Sequence, residues 1–160
     1  MLKVGDKAPD FVTTTESGEK FKLSALRRKK VFLYFYPKDD TPGCQQEACS
    51  IRDNYSVFER ASIPVFGISG GNAKSHQNFK SKNSLPFPLL MDEDFRIAKL
   101  YDVYQKKSMY GKEYMGIERT TFLIDEKGKI EGIFGGLEGI EKVNTAEHAN
   151  QVIKFWNLKT

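Results

Sequence analysis

Long apolar runs are missing from the sequence. None exceeds the six residues Val31 to Tyr36, against the roughly 20 that a bilayer-crossing helix requires, so no membrane span is expected. The opening "MLKVGDKAPD" lacks the apolar stretch of a secretory signal, which makes the cytosol the expected location. Charge of one sign is not in large excess: 25 Lys and Arg stand against 21 Asp and Glu, and only Arg27 to Lys30 forms a dense basic run. A run that short, directly before a strand, reads as a solvated turn, so no nucleic-acid partner is expected. Cysteine and histidine occur only as Cys44, Cys49, His76 and His148. No two of the four have the short paired spacing of a zinc site, so no metal is expected, and both histidines fall in predicted surface helices, where they would be solvated. The glycines of "GISGG" at 67–71 do not fit a dinucleotide or phosphate loop. In a reducing compartment two cysteines are catalytic, metal-binding or inert more often than permanently cross-linked.

The composition is that of an ordinary globular protein, 39% hydrophobic and 29% charged over 160 residues. Such a chain can bury a core as one domain, residues 1–160, without disulfide or metal staples. The run 31–36 reads as a buried strand ended by Pro37. Cys44, Ala48, Ile51, Tyr55 and Phe58 then recur at helical spacing, which predicts an amphipathic helix over 42–60 with Cys44 on its inner stripe. "IPVFGIS" (63–69) reads as a second strand, "NAKSHQNFKSKN" (72–83) as a polar surface helix, "FPLLMD" (87–92) as a third strand, and 94–101 as a short helix. "RTTFLID" (119–125) and "KIEGIFGG" (129–136) form an antiparallel hairpin turned at Gly128. A last helix opens at Asn144 or Thr145 with Glu147 behind, and its buried stripe is Ala149, Val152, Ile153 and Trp156. This order predicts an α/β thioredoxin-like fold, a central mixed β-sheet flanked by helices. No internal repeat or linker divides it.

The stretch "TPGCQQEAC" (41–49) places both thiols at the start of the first long helix. Thr41 suits the N-cap, Pro42 the first helical position, and Gly43 a close approach to the backbone. Cys44 then lies in the first turn, where unpaired amides and the helix dipole favour an anion and hence the thiolate, the reactive form. Asp39 and Asp40 would oppose this if they faced the sulfur, and an arginine brought from elsewhere in the fold could outweigh them. The alternative is that Cys44 is a small core residue on the apolar stripe. Cys49 lies about 7.5 Å farther along the helix and about 140° around it, which puts the two Cα atoms roughly 8.7 Å apart. A disulfide needs them within about 7 Å, so joining the thiols requires the first turns to unwind. A reduced chain is therefore expected to keep the 42–60 helix intact and an oxidised one to lose its first turns. A C-x-x-C exchanger needs no such rearrangement. The wider spacing suits a division of labour in which Cys44 is oxidised by a small molecule and Cys49 resolves it.

"FYPKDDTPGCQQEACSIRDNY", together with "VGDKAPDF", "FPLLMDED" and "MYGKEYMGIERTTFLIDEKGKI", resembles the peroxiredoxins, in particular the bacterioferritin comigratory protein (Bcp, or PrxQ) subfamily, over nearly the whole chain. The family pattern of proline, three residues, threonine or serine, two residues and cysteine is matched by Pro37, Thr41 and Cys44, and its remote arginine by Arg119. The resemblance implies a thiol peroxidase. Cys44 would be the peroxidatic thiolate, converted by a hydroperoxide to a sulfenic acid. Arg119, the Thr41 hydroxyl and the Cys44 amide would hold the peroxide oxygens, and Pro37 would shape the pocket. Cys49 would be the resolving thiol, giving an intramolecular disulfide reduced by thioredoxin or a similar donor. No cofactor is implied, and the chain is expected to be a monomer, with a weak homodimer as the alternative. Glu47 would pair with Arg119 or Arg52 or remain a solvated helix charge. Tyr36 and Phe79 would line the site or fill the core, and the 69–76 loop departs from the family's more acidic or serine-rich pattern. Two other readings stay open: a thiol-disulfide exchanger, which gives Thr41 and Arg119 no task, and a binding module in which both cysteines are filler.

Overall fold

A computed structural model describes residues 1–136 and 138–160. In chain order, a hairpin of β1 (Val12–Thr14) and β2 (Lys20–Lys22) precedes β3 (Val31–Phe35), α1 (Pro42–Asp53), α2 (Tyr55–Arg60), β4 (Val65–Ser69), α3 (Ala73–Lys82), β5 (Leu89–Met91) and α4 (Arg96–Leu100). There follow a second hairpin of β6 (Tyr104–Met109) and β7 (Lys112–Ile117), then β8 (Thr120–Ile124), β9 (Ile130–Phe134) and α5 (His148–Trp156). Five strands form one sheet in the order β5-β4-β3-β8-β9. β3 pairs parallel with β4 and antiparallel with β8, so the sheet is mixed, as the sequence predicts.

The central strand shows why both faces of this sheet are covered. Alternate side chains of a strand point to opposite faces, and every residue of β3 is apolar and buried. Val31, Leu33 and Phe35 join one core with Phe11, Phe21, Ile97 and Tyr101. Phe32, Tyr34 and Tyr36 join the other with Cys44, Ala48, Ile51, Phe79 and Val152, from α1, α3 and α5. Cys44 therefore faces the second core from the start of α1.

Three differences from the sequence-based expectations have local causes. The spacing predicts one helix over 42–60, but the structure divides it at Asn54, between α1 and α2. The Asn54 side chain donates to the Ser50 carbonyl at 2.9 Å, taking the acceptor its own amide would use in a continuous helix, and that amide bonds instead to Ile51 at 3.2 Å. The last helix begins at His148 and not at Asn144 or Thr145. Asn144 caps a preceding turn, its Oδ1 accepting from the Ala146 amide and its carbonyl from Glu147. Finally, both two-stranded hairpins went unpredicted. They lie outside the main sheet, and the exposed residues of β6 and β7 carry no clean apolar alternation.

Candidate active site

Cys44 is only 1% exposed, and α1 runs unbroken through it and Cys49, both of which are free thiols. The first α1 amide bonded back into the chain is that of Gln45, to Thr41 at 2.8 Å. The Cys44 amide in the turn before it is one of the orphan donors that every helix start leaves. Arg119, immediately before β8, reaches this turn from across the sheet, and its Nη2 donates to Cys44 Sγ at 3.4 Å. Gly43 eases that approach, because a Cβ there would lie 3.1 Å from Nη2 and crowd it. The sulfur thus meets a helix start and a guanidinium together, and both favour an anion.

The other arm of Arg119 is held by Glu47, whose Oε1 accepts from Nη1 at 2.6 Å. Glu47 is completely buried, so its pairing with Arg119 is the outcome, and neither Arg52 nor solvent takes that place. Burial pushes its carboxyl up to about 7, against the pull of the Arg119 guanidinium. Its second oxygen, Oε2, has no hydrogen-bond partner among the described residues and lies 3.8 Å from His148 Nε2. His148 is buried as well, which corrects the expectation of a solvated ring. Its Nδ1 faces Gln151 Oε1 at 2.8 Å, and its Nε2 faces the Thr121 hydroxyl at 2.7 Å. Gln151 Oε1 also accepts from the Asn144 amide while Nε2 of the same amide group donates to Lys142, which fixes that oxygen as the acceptor. The His148 proton therefore sits on Nδ1, and Nε2 accepts from Thr121. Burial pushes this imidazole down to about 4, opposed by the bond to Gln151 and assisted by the Arg119 charge.

Neither aspartate of "KDD" opposes the thiolate directly. Asp40 pairs with Lys82 at the surface, at 2.9 Å. Asp39 is buried and accepts from Tyr36 Oη at 2.6 Å and Ser75 Oγ at 2.8 Å, with His76 Nδ1 at 2.6 Å. His76 is also fully buried, against the expectation of solvation. Its burial follows from its place three residues before Phe79, on the inward stripe of α3. Burial pushes the Asp39 carboxyl up, but the bonds from His76, Tyr36 and Ser75 more than offset it and leave it below the usual carboxylate range. Thr41 occupies the N-cap position without capping: its hydroxyl donates to the Lys38 carbonyl at 2.9 Å. Pro37 is half-buried at the end of β3, and Tyr36 and Phe79 belong to the core.

Cys49 is half-buried on another face of α1, with Sγ 3.7 Å from Asn83 Oδ1. Sequence reasoning missed Asn83, Thr121 and both histidines. The two histidines carried a signal, since His148 stands four residues before Val152 and His76 three before Phe79, each in register with a buried position. Among the described residues, no group of His, Cys, Asp and Glu side chains is arranged to hold a metal ion, and no helix is long and apolar enough to cross a membrane.

Residues 4–133 match the family model described as the AhpC/TSA family. The chain is 48% identical over 152 residues to "Putative peroxiredoxin bcp" of Coxiella burnetii, covering 95% of this chain and 97% of that protein. It is 40% identical to "Peroxiredoxin Bcp" of Bacillus subtilis, with 96% and 94% covered. Among solved structures, a Xylella fastidiosa PrxQ mutant aligns with a TM-score of 0.88 at 30% identity, over 98% of this chain and 96% of that one. Xanthomonas campestris peroxiredoxin Q aligns at 0.84 and 32%, with the same coverage. With near-complete coverage on both sides, a shared thioredoxin-like fold and a cysteine, arginine and helix start brought together, the chain belongs to the AhpC/TSA family and, within it, to the Bcp/PrxQ peroxiredoxins, which are thiol peroxidases.

Proposed function

We propose that the 160 residues form a single-domain, atypical two-cysteine peroxidase of the cytosol that reduces hydrogen peroxide and organic hydroperoxides through Cys44. The observation that carries this assignment is the 3.4 Å contact between Arg119 Nη2 and Cys44 Sγ at the first turn of α1. The guanidinium and the free Cys44 amide stabilise negative charge on sulfur and, as the O–O bond stretches, on the departing oxygen. Thr41, having given its proton to the Lys38 carbonyl, offers lone pairs to the peroxide O–H. Pro37 walls the pocket. The Cys44 thiolate takes the outer oxygen as the O–O bond breaks, and the leaving alkoxide or hydroxide picks up a proton and departs as alcohol or water. Cys49 then attacks the sulfenic sulfur, forming the S–S bond and releasing water, and a thioredoxin-like dithiol reduces the disulfide. The expected state is a monomer, with a weak homodimer as the alternative. Organic hydroperoxides are included because a Xanthomonas campestris bacterioferritin comigratory protein similar to this chain is described for alkyl peroxide reduction.

Intact mass and free-thiol counts on fully reduced protein, seconds after one equivalent of hydrogen peroxide, test this assignment. The expected result is loss of two hydrogens and both thiols, abolished in Cys44→Ser and replaced by a sulfenic acid or its over-oxidised products in Cys49→Ser. Two intact thiols after that time would reject it.

A further inference from the structure

Resting on the two-cysteine assignment, we propose that α3 is the retaining element for the resolving step, with Asn83 and His76 as positioning residues that hold Cys49 and the 37–41 loop in the peroxide-reactive arrangement. Asn83 closes α3 and is itself buried. Its Nδ2 donates to the Phe79 carbonyl at 3.0 Å, which aims Oδ1 at α1. There Oδ1 accepts from Gln45 Nε2 at 3.0 Å and faces Cys49 Sγ at 3.7 Å, while the Asn83 carbonyl accepts from Arg52 Nη1 at 2.8 Å. Gln45, Cys49 and Arg52 are spaced by four and three residues, so one buried asparagine fastens one whole face of α1.

The other half of α3 fastens the loop that feeds α1. His76 and Ser75 hold Asp39 Oδ2 while Tyr36 holds Oδ1, and His76 Nε2 faces the Leu90 carbonyl at 3.0 Å. His76 is thus fixed from both sides, with Asp39 Oδ2 at one ring nitrogen and the Leu90 carbonyl at the other. Gly71 completes the socket, because a Cβ there would lie 2.5 Å from Asp39 Oδ2. Asn72 caps α3 by accepting from the Ser75 amide at 2.8 Å, so this clamp sits on a fixed helix end.

The chemistry gives these contacts a task. Cys44 faces Arg119 and the second core, whereas Cys49 faces Asn83, so the two sulfurs meet only when the first turns of α1 unwind and Cys49 leaves Asn83. Until then the Cys44 sulfenic acid waits, open to attack by a second peroxide that would carry it to the sulfinic acid. Tight fastening thus favours the first step and delays the second.

Single-turnover kinetics on the full chain separate the two steps, with the peroxide reaction followed by competition and disulfide formation by quenched thiol counts. Asn83→Ala is expected to speed resolution about five- to thirtyfold, the effect of losing one or two hydrogen bonds. The peroxide rate constant should fall, because the arrangement it needs is less populated, and less Cys44 sulfinic acid should accumulate at high peroxide. Ser75→Ala, which removes one donor to Asp39 and leaves the core intact, should shift resolution in the same direction by about two- to fivefold. Resolution at the parent rate in both variants, with only thermal stability lowered, would make these contacts purely structural and overturn the proposal. Two intact thiols in the parent after peroxide would instead reject the peroxidase assignment itself.

Discussion

Two carboxylate–histidine pairs are buried near the start of α1, one in the loop before it and one on the helix itself, and they behave oppositely. In the first, Asp39 and His76 meet at 2.6 Å with two further donors on the carboxylate, which is held below its ordinary range. In the second, Glu47 and His148 stand 3.8 Å apart with no hydrogen bond between them. There burial dominates, pushing the acid up to about 7 and the imidazole down to about 4. Both pairs are buried, so burial alone does not set the carboxyl's direction. The number of donors aimed at the carboxylate does. The first pair serves as a fastening, while in the second the raised Glu47 carboxyl offsets less of the Arg119 charge, whose other arm reaches the sulfur.

The largest expected effect breaks the first pair. Asp39→Asn removes the anion around which His76, Tyr36 and Ser75 are arranged, and urea unfolding should show a loss of about 3–5 kcal/mol, the usual penalty for opening a buried pair from one side. Arg119→Met attacks the bridge to the second pair. It should lower the second-order rate constant with hydrogen peroxide about 10²- to 10³-fold in stopped-flow competition, as removal of one preorganised donor does elsewhere. It should also leave Glu47 still more strongly protonated.

A subtler test concerns pH. The folded value of Glu47, about 7, lies above its ordinary 4.5, so its contribution to stability is full below pH 4.5 and is lost as pH rises to 7. The folded value of His148, about 4, lies below its ordinary 6.5, so its contribution is full above pH 6.5 and is lost as pH falls to 4. Each amounts to about 3 kcal/mol, and between pH 4.5 and 6.5 the two slopes oppose and largely cancel. Glu47→Gln should therefore leave a stability that rises with pH across this window, and His148→Gln one that falls. Parallel slopes in the two variants would refute the assignment of neutral partners. The smallest effect is expected at Gly43, where alanine is a better helix former by up to about 1 kcal/mol. Its Cβ would crowd Arg119 Nη2, so Gly43→Ala should raise the melting temperature slightly while slowing the peroxide reaction about two- to fivefold.

The contrast between the pairs also marks how far the sequence could be read. The strands of the main sheet, the helix start at Pro42 and the approach of Arg119 to Cys44 were legible, because apolar period, capping residues and a family pattern all pointed the same way. Glu47 was half legible, as a charge with two possible partners. The histidines were misread because polarity was weighed above register: each occupies an inward helical position whose hydrogen-bond partners, Asp39 and Leu90 or Thr121 and Gln151, arrive from other elements. Asn83 carried no signal at all, since a helix-ending asparagine is ordinary and its partners lie 31 to 38 residues away. Long-range polar partnership is what a one-dimensional pattern does not encode.

The interruption at Asn54 has a further consequence for cooperativity. Helix formation is costly to nucleate, and isolated helices below about 12–15 residues are marginal in water. Cutting the stretch at Asn54 leaves α1 with 12 residues, at that limit, while α2 stays anchored through the buried Val57 and Phe58. A continuous helix to residue 60 would melt and re-form as a longer cooperative unit and would tug on the core each time. With the fracture in place, unwinding of the segment that carries both thiols, which the proposed resolving step requires, need not extend into α2, held by its buried Val57 and Phe58.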